Sequence, residues 1–288
     1  MTLVRGNSAI VTGASTGIGR ACALALAERG WHVYAGVRGD PAAANVRVAG
    51  ITPVPLDITD PEQIADVARR VADETDGLTG LVNNAGTTTP CPVEYLPVDE
   101  FRDQLAVNLV GHYAVTKAFL PLLRRPGGRI VAISSPGAKI AAPFMAPYVA
   151  AKAGLEGLCA VLRTELRPAG IHVSIVEPGF VSTDMRKKLT RDTGTVLARL
   201  PAEGAARYGP ALRAVMGNVA AEAARGAPPD VVARVIVRAL TERRPRTRYP
   251  AGPGARRILL MARLLPDPLL DRLTARMLRL PPPFGRRR

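Results

Sequence analysis

Ser8-Ala9-Ile10-Val11-Thr12 runs directly into Gly13-Ala14-Ser15-Thr16-Gly17-Ile18-Gly19, and an alanine-rich amphipathic stretch continues to about Arg29. An apolar run, a glycine turn and an amphipathic stretch in that order predict a strand, a tight turn and a helix. The glycines let the backbone approach a ligand, while the first helical turn offers free N–H groups and a positive dipole end. Together these suit a dinucleotide pyrophosphate. The glycine spacing is G-x-x-x-G-x-G, not the commoner G-x-G-x-x-G.

The same alternation continues outward from this turn. A second strand, His32 to Val37, ends at Arg38, where an acid would grip a ribose hydroxyl and an arginine accommodates a 2′-phosphate. Thr52 to Leu56 reads as a third strand leading to Asp57, and Asp60 is placed to cap a helix over 61–75 with Pro61 at its first position. Leu78 to Val82 forms a fourth strand, followed by Asn83-Asn84-Ala85-Gly86. A long helical pattern covers about 97–125. Asn108 sits in its middle, a mediocre helix former that asks for a local reason. Gly127 to Ile133 gives a fifth strand delivering Ser134 and Ser135, a helix spans about 146–167, and Ile171 to Val176 is a sixth strand before Pro178 and Gly179. Strands alternating with helices make this a single-domain α/β fold with a doubly wound parallel sheet of about seven strands, covering 1–253. Such sheets bind ligands beyond the carboxyl ends of their strands.

Composition narrows the function. The 288 residues are 47% hydrophobic, enough for a sizeable core. The net charge of +15 is concentrated late: residues 234–288 hold 15 Arg and 3 acids, a net of +12, leaving 24 Lys+Arg against 21 acids before them. With only Tyr249 and Phe284 aromatic in this stretch, the basic tail lacks the aromatic interleaving of a nucleic-acid site. Cys22, Cys91 and Cys159 have no metal-ligand spacing, and an odd number argues against a disulfide framework, so a cytoplasmic location is expected. The first strand starts too early for a signal peptide, and no apolar run approaches the ~18 residues of a membrane span. His32, His112 and His172 form no cluster, so no metal is expected.

Chemistry enters at Tyr148-Val149-Ala150-Ala151-Lys152. Four residues is about one helical turn, so the phenol and the ammonium share a helix face. A nearby cation favours the phenolate, and lowering the tyrosine pKa by ~3 units corresponds to about 4 kcal/mol, making the phenol a working general acid/base.

These residues together resemble the short-chain dehydrogenase/reductase family, over about 7–250. Its cofactor turn T-G-x-x-x-G-x-G is matched by Thr12 through Gly19, its N-N-A-G by Asn83 to Gly86, and its P-G followed by Thr by Pro178, Gly179 and Thr183. Its serine, thirteen residues before the tyrosine, falls on Ser135, and Y-x-x-x-K is intact at Tyr148 and Lys152. The resemblance implies a Rossmann-type fold and a hydride transfer between nicotinamide and a carbonyl or alcohol carbon. It assigns catalysis to Asn108, Ser135, Tyr148 and Lys152: Tyr148 exchanges the proton and Ser135 holds the oxygen. Lys152 would depress the tyrosine pKa and bond the nicotinamide ribose, while Asn108 would hold a relay water. It assigns cofactor contacts to Gly13, Ser15, Gly17, Ile18, Gly19, Arg38, Asp57, Asn83, Ala85, Gly86, Tyr148, Lys152, Pro178, Gly179, Val181 and Thr183. Arg38 favours NADP(H), with NAD(H) the other choice, because the turn carries Thr16 where many NADP-preferring members have a basic residue. A homodimer or homotetramer is implied, paired through the helices at about 97–125 and 145–168.

The segments most variable in such a fold set the substrate. Ser135, Phe144, Met145 and Tyr148 are expected to line a pocket under a mobile cover at 184–225. Their apolar character predicts a hydrophobic ketone, aldehyde or secondary alcohol. V-Y-A-G-V-R and R-Y-P-A-G-P-G-A at 248–255 look like the branch containing retinol and 17β-hydroxysteroid dehydrogenases, which points to steroid-, retinoid- or fatty-type compounds. Residues 254–288 read as a basic extension of two short amphipathic helices, packed over the cleft or a partner subunit, or laid on an anionic membrane. Arg286-Arg287-Arg288 is expected to be disordered. The alternative function is a non-catalytic NADP-sensing or scaffolding protein on the same fold. Retention of the acid/base group argues against it.

Overall fold

The computed structural model describes residues 6–39, 43–124 and 127–280. The expected helix end at Arg125 and the disorder of Arg286-Arg287-Arg288 lie outside these residues. Seven strands form one sheet: β1 (Ser8–Val11), β2 (His32–Val37), β3 (Ile51–Pro55), β4 (Gly80–Asn83), β5 (Arg129–Ile133), β6 (His172–Pro178) and β7 (Arg248–Ala251). Their spatial order is β3-β2-β1-β4-β5-β6-β7, and every neighbouring pair is parallel. The order reverses between β1 and β4. There the connections leave in opposite directions and open a crevice at the carboxyl edge.

Both faces of the sheet are covered, which is why its strands read as continuous apolar runs instead of alternating. Alternate residues go to opposite faces. Ala9 and Val11 of β1, Val82 of β4 and Val131 of β5 join one core with α1 (Gly17–Ala27) and α8 (Pro229–Thr241). Ile10, Leu81, Ile130 and Ile175 join the other, against α2 (Pro61–Glu74), α4 (Gly111–Leu123) and α5 (Ala146–Glu165). Asp60 caps α2 as expected, its carboxylate accepting from the Glu62 and Gln63 amides.

The long helix expected over 97–125 is interrupted. It consists of α3 (Val98–Leu105), a π turn at Ala106–Val110 and α4. One extra residue per turn there leaves the helical ladder out of step, a deformation that concentrates at functional sites. Asn108 lies at its centre, fully buried. Its Oδ1 accepts from the Thr87 amide at 2.9 Å and its Nδ2 donates to the Thr87 carbonyl at 2.8 Å. This is the local reason for an asparagine mid-helix: its amide replaces a backbone partner for the chain leaving Asn83-Asn84-Ala85-Gly86. Gly111 follows because a Cβ there would lie 2.6 Å from the Ile58 carbonyl oxygen.

The cover at 184–225 is two helices, α6 (Met185–Arg199) and α7 (Ala202–Ala224). The basic extension is also two helices, α9 (Ala255–Leu264) and α10 (Asp267–Met277). No helix of the described residues is long and apolar enough to cross a membrane.

Candidate active site

Because the sheet is parallel, all its carboxyl ends meet at one edge, and the residues singled out from sequence follow them in turn. Gly13 to Gly19 follow β1, Arg38 follows β2, Asp57 follows β3 and Ala85 and Gly86 follow β4. Ser135 follows β5 and Gly179 follows β6.

The first of these forms a cradle. Thr16 stands at the N-cap of α1 in extended conformation with no side-chain cap bond, and the first turn of α1 holds no acid. Unlike α2, whose amides are satisfied by Asp60, α1 leaves its first amides and its positive end open. Gly13 and Gly17 adopt φ of 63° and 54°, and a Cβ at Gly19 would lie 2.3 Å from the Gly13 carbonyl oxygen and 2.5 Å from the Asn84 amide nitrogen. A backbone this close, with unclaimed amides beside Ser15 and Ile18, fits a pyrophosphate.

Two residues outside the expected set hold the cradle to β4. The Thr12 hydroxyl donates to the Val82 carbonyl at 3.3 Å and accepts from the Asn84 and Ala85 amides, both at 3.0 Å. The Asn84 side chain donates to the carbonyls of Thr12 at 2.9 Å and Gly13 at 3.1 Å. Both lie inside the quoted motifs, and their polarity at an apolar strand end was the available signal. Asn83, expected at the cofactor, instead turns its side chain into the core, donating to Thr116 Oγ1 at 2.8 Å. Strand alternation sends Asn83 and Asn84 to opposite sides, so only the backbone of Asn83 is left to face a nucleotide. Asp57 Oδ1 holds the Thr59 amide and hydroxyl. Arg38 is exposed at the mouth. Across the crevice, Thr183 lies 3.2 Å from where a Gly17 Cβ would sit, Gly179 donates its amide to Ala251 at 2.9 Å, and Val181 makes a parallel bridge to Ala227.

Further along the edge, Ser135 and Tyr148 meet beside Gly137: Ser135 Oγ and Tyr148 Cε1 lie 3.3 Å and 3.5 Å from where a Gly137 Cβ would sit. Ser135 Oγ also accepts from the Gly137 amide at 3.1 Å, which fixes its rotamer. Lys152 is 4% exposed, one turn beyond Tyr148 on α5. Its ammonium donates to the Ile133 carbonyl at 2.8 Å and lies 5.8 Å from the centre of the Tyr148 ring. The electrostatics differ from the expectation. Burial lifts the Tyr148 phenol above its ordinary pKa and the Ser135 contact opposes the rise, while Lys152 exerts no resolved pull. Burial lowers Lys152 itself to about 8. The reason is geometric: the ammonium bonds a backbone carbonyl and sits over the ring face. Asn108, expected to hold a relay water, has both ends of its amide engaged with Thr87, so any such water would fall to the backbone of the π turn.

Over Tyr148 lies an apolar cluster. Cys91 and Met145 join Leu189 and Val196 of α6 and Leu212, Val215 and Met216 of α7, with Phe144, Tyr148 and Val149 packed against them. Phe144 takes a left-handed φ of 67°, uncommon for a bulky residue, and its carbonyl accepts from the Cys91 amide at 2.8 Å. The cover is fastened at its rim: Lys188 donates to the Thr88 carbonyl at 3.0 Å, Arg199 pairs with Glu100, and the Tyr208 hydroxyl donates to Glu94 at 2.7 Å. Leu278 and Leu280 pack against the same cluster, and Asn218 donates to the Met277 carbonyl at 2.8 Å, so the extension does fold over the cover.

His112, on α4 one turn past Asn108, is fully buried and neither ring nitrogen has a well-aligned partner. Burial, with Lys152 nearby, lowers it to about 3, against a smaller opposing pull from the Ala85 backbone. The unfolded chain takes up that proton below about pH 6.5 while the folded chain refuses it. Stability is therefore intact above that pH and falls by about 1.4 kcal/mol for each unit below it, down to about pH 3. We expect His112→Leu to flatten this acid slope by one proton in urea unfolding at pH 7, 6 and 5. Parallel slopes for the two proteins would exclude the assignment. Among the described residues, no group of three or more His, Cys, Asp or Glu side chains is placed to hold a metal.

A family model described as short chain dehydrogenase matches residues 7–194. The chain belongs to the short-chain dehydrogenase family, whose members are oxidoreductases. Members of the retinol and 17β-hydroxysteroid dehydrogenase branch are among the relatives it matches. It is 36% identical to retinol dehydrogenase 5 of Mus musculus over 279 residues, 91% of this chain and 85% of that one. It is 34% identical to 17-beta-hydroxysteroid dehydrogenase type 6 of Homo sapiens, over 92% of this chain and 87% of the relative. A crystal structure of a short chain dehydrogenase from Burkholderia cenocepacia J2315 in complex with NADP superposes with a TM-score of 0.72 at 28% identity, covering 96% of this chain and 99% of that one.

Proposed function

We propose that this protein is an NADP(H)-dependent oxidoreductase that interconverts a hydrophobic ketone or aldehyde and its alcohol. The observation that carries this reading is the meeting of Ser135, Tyr148 and Lys152 under an apolar cover, at the same sheet edge as an uncapped glycine cradle. When bound, the cofactor supplies or accepts hydride at the nicotinamide ring. In reduction, Ser135 donates a hydrogen bond to the carbonyl oxygen and Tyr148 delivers the proton to it. The raised phenol pKa keeps that proton in place at neutral pH. Lys152, close to its own midpoint, is suited to pass a proton on.

Substrate class rests on the cover. Met145, Leu189, Leu212 and Met216 offer almost no polar partner, so affinity would come from burying apolar surface, as steroid-, retinoid- or fatty-type compounds allow. The names of two relatives, retinol dehydrogenase 5 and 17-beta-hydroxysteroid dehydrogenase type 6, agree with this choice.

Cofactor preference rests on Arg38, exposed beyond β2 where a 2′-phosphate would lie. We expect Arg38→Asp to weaken NADPH binding about tenfold to hundredfold, the value of one or two charge-assisted hydrogen bonds, and to leave NADH binding equal or better. Fluorescence titration of both nucleotides decides it. Equal loss for both, or for neither, would remove Arg38 from the phosphate site.

Assembly follows from exposed apolar residues on the helices implicated in pairing: Val98 on α3, Val110 at the end of the π turn, Tyr113 on α4 and Val161 on α5. They support a homo-oligomer. In the extension, Leu260, Leu264, Leu269 and Met277 stay exposed among arginines, which supports a peripheral contact with an anionic membrane. Three buried, free cysteines suit a cytoplasmic, reducing setting.

A further inference from the structure

Behind the Ser135–Tyr148 face lies a charge centre that none of the steps above uses. Glu156 is 4% exposed and Glu177 is 1% exposed, on α5 and β6 respectively. Glu156 follows Lys152 by one helical turn. Together these two side chains grip the last residues before Ser135: Lys152 donates to the Ile133 carbonyl, and Ser134 Oγ donates to Glu156 Oε1 at 2.8 Å. The other oxygen of Glu156 is paired with Lys139 at 2.9 Å, at the far end of the Ser135 turn, and with Arg248 at 2.8 Å. Arg248, at the start of β7, also donates to Glu177 Oε1 at 2.8 Å. Glu177 immediately precedes Pro178 and Gly179, the loop that faces the glycine cradle.

We propose that Arg248, shared between Glu156 and Glu177, is a positioning residue that locks the Ser135 turn to the 178–183 loop and so sets the distance between the carbonyl-holding face and the nicotinamide. Four segments are tied together: the guanidinium on β7 contacts Glu156 of α5 and Glu177 at the end of β6, and Glu156 in turn holds the 134–139 turn through Ser134 and Lys139. Surface anchoring would not require two carboxylates to leave water. Two buried carboxylates around one arginine are costly unless the pairing is kept, so the arrangement holds its parts in a single register. Burial alone would lift the Glu156 carboxyl, but Lys139, Ser134 and Arg248 together hold it below its ordinary value, whereas burial lifts Glu177 above its own.

This inference rests on the hydride-transfer reading, and its test separates the two. Hydrogen–deuterium exchange of the cofactor-free protein needs neither nucleotide nor substrate. The Gly137, Ala138 and Lys139 amides are bonded within the serine turn, and those of Gly179 and Ser182 are bonded to Ala251 and Ala227. We expect Arg248→Met to speed exchange in both the 134–140 and 178–183 segments. Glu156→Gln should loosen the first while sparing the second, which Arg248 and Glu177 still hold. Arg248→Lys should restore part of the protection. With a substrate in hand, Arg248→Met should lower kcat by about tenfold to hundredfold, with the NADPH dissociation constant held within about threefold. If Arg248→Met fails to fold, the split between segments in Glu156→Gln and the partial protection in Arg248→Lys decide the question in its place. Exchange as in the unaltered protein in both segments, or a lower melting temperature with unchanged kcat per folded site, would overturn the proposal. Absence of turnover by the unaltered protein on any compound would count against the hydride-transfer reading alone.

Discussion

Replacing Tyr148 by phenylalanine is expected to lower kcat for carbonyl reduction by roughly 10²- to 10⁴-fold, the range of a lost general acid, while NADPH still binds. The ring keeps its packing against the apolar cluster of the cover, so only the hydroxyl is lost. The direction of the pH dependence follows from the same site. Burial raises the phenol and Ser135 only partly offsets it, so the protonated donor prevails through neutral pH. Reduction should therefore be flat there and fall as the phenol ionises at alkaline pH. Oxidation, which needs the phenolate, should rise over the same interval. Lys152, lowered to about 8, loses its charge before that interval begins, so a separate, earlier change near pH 8 would mark its part in passing the proton on. Steady-state rates in both directions from pH 6 to beyond pH 11 check each limb. A Tyr148→Phe protein with undiminished kcat would require a different proton donor.

Gly19→Ala is expected to have the second large effect, on binding. The added methyl would lie 2.3 Å from the Gly13 carbonyl oxygen and 2.5 Å from the Asn84 amide nitrogen. The carbonyl is backbone and the amide is bonded to Thr12 and Gly13, so neither can move without opening the turn. Overpacking of this kind costs about 1–3 kcal/mol. Here the displaced backbone is also the proposed pyrophosphate cradle, so NADPH affinity should drop by about tenfold or more. Gly30→Ala is the matched control. Gly30 has φ of 75° but nothing within 4 Å of an added Cβ, so alanine there brings backbone strain of about 1–2 kcal/mol without touching the cradle. Thermal unfolding should show both variants weakened, and nucleotide titration should show only Gly19→Ala impaired.

The features legible in the sequence were those with short-range causes. Strand, turn and helix at Ser8 to Gly19, the Asp60 cap and the two amphipathic helices at 255–277 each follow from residues within a few positions of one another, and the structure has them. Seven parallel strands follow from the alternation. What stayed hidden depends on partners far along the chain. Asn108 was conspicuous in its helix, but the π turn it centres exists because Thr87 offers its backbone from another element. Asn83 and Asn84 look equivalent in sequence, and only strand alternation decides that the second one reaches Gly13. The Tyr148–Lys152 spacing gave proximity correctly, yet the Ile133 carbonyl that claims the ammonium could not be read from spacing. Nor could the meeting of Arg248 with Glu156 and Glu177, which needs β6, β7 and α5 in place.

The most direct test of the hydride-transfer reading is to incubate the protein with NADPH deuterated at one or the other C4 position and a panel of steroid, retinoid and fatty ketones and aldehydes. Each product is then weighed by mass spectrometry. Hydride transfer predicts an alcohol that gains one deuterium from one labelled face and none from the other, with no product from Tyr148→Phe. Tight NADPH binding with no labelled alcohol from any compound would contradict it and favour a nucleotide-sensing role for the fold.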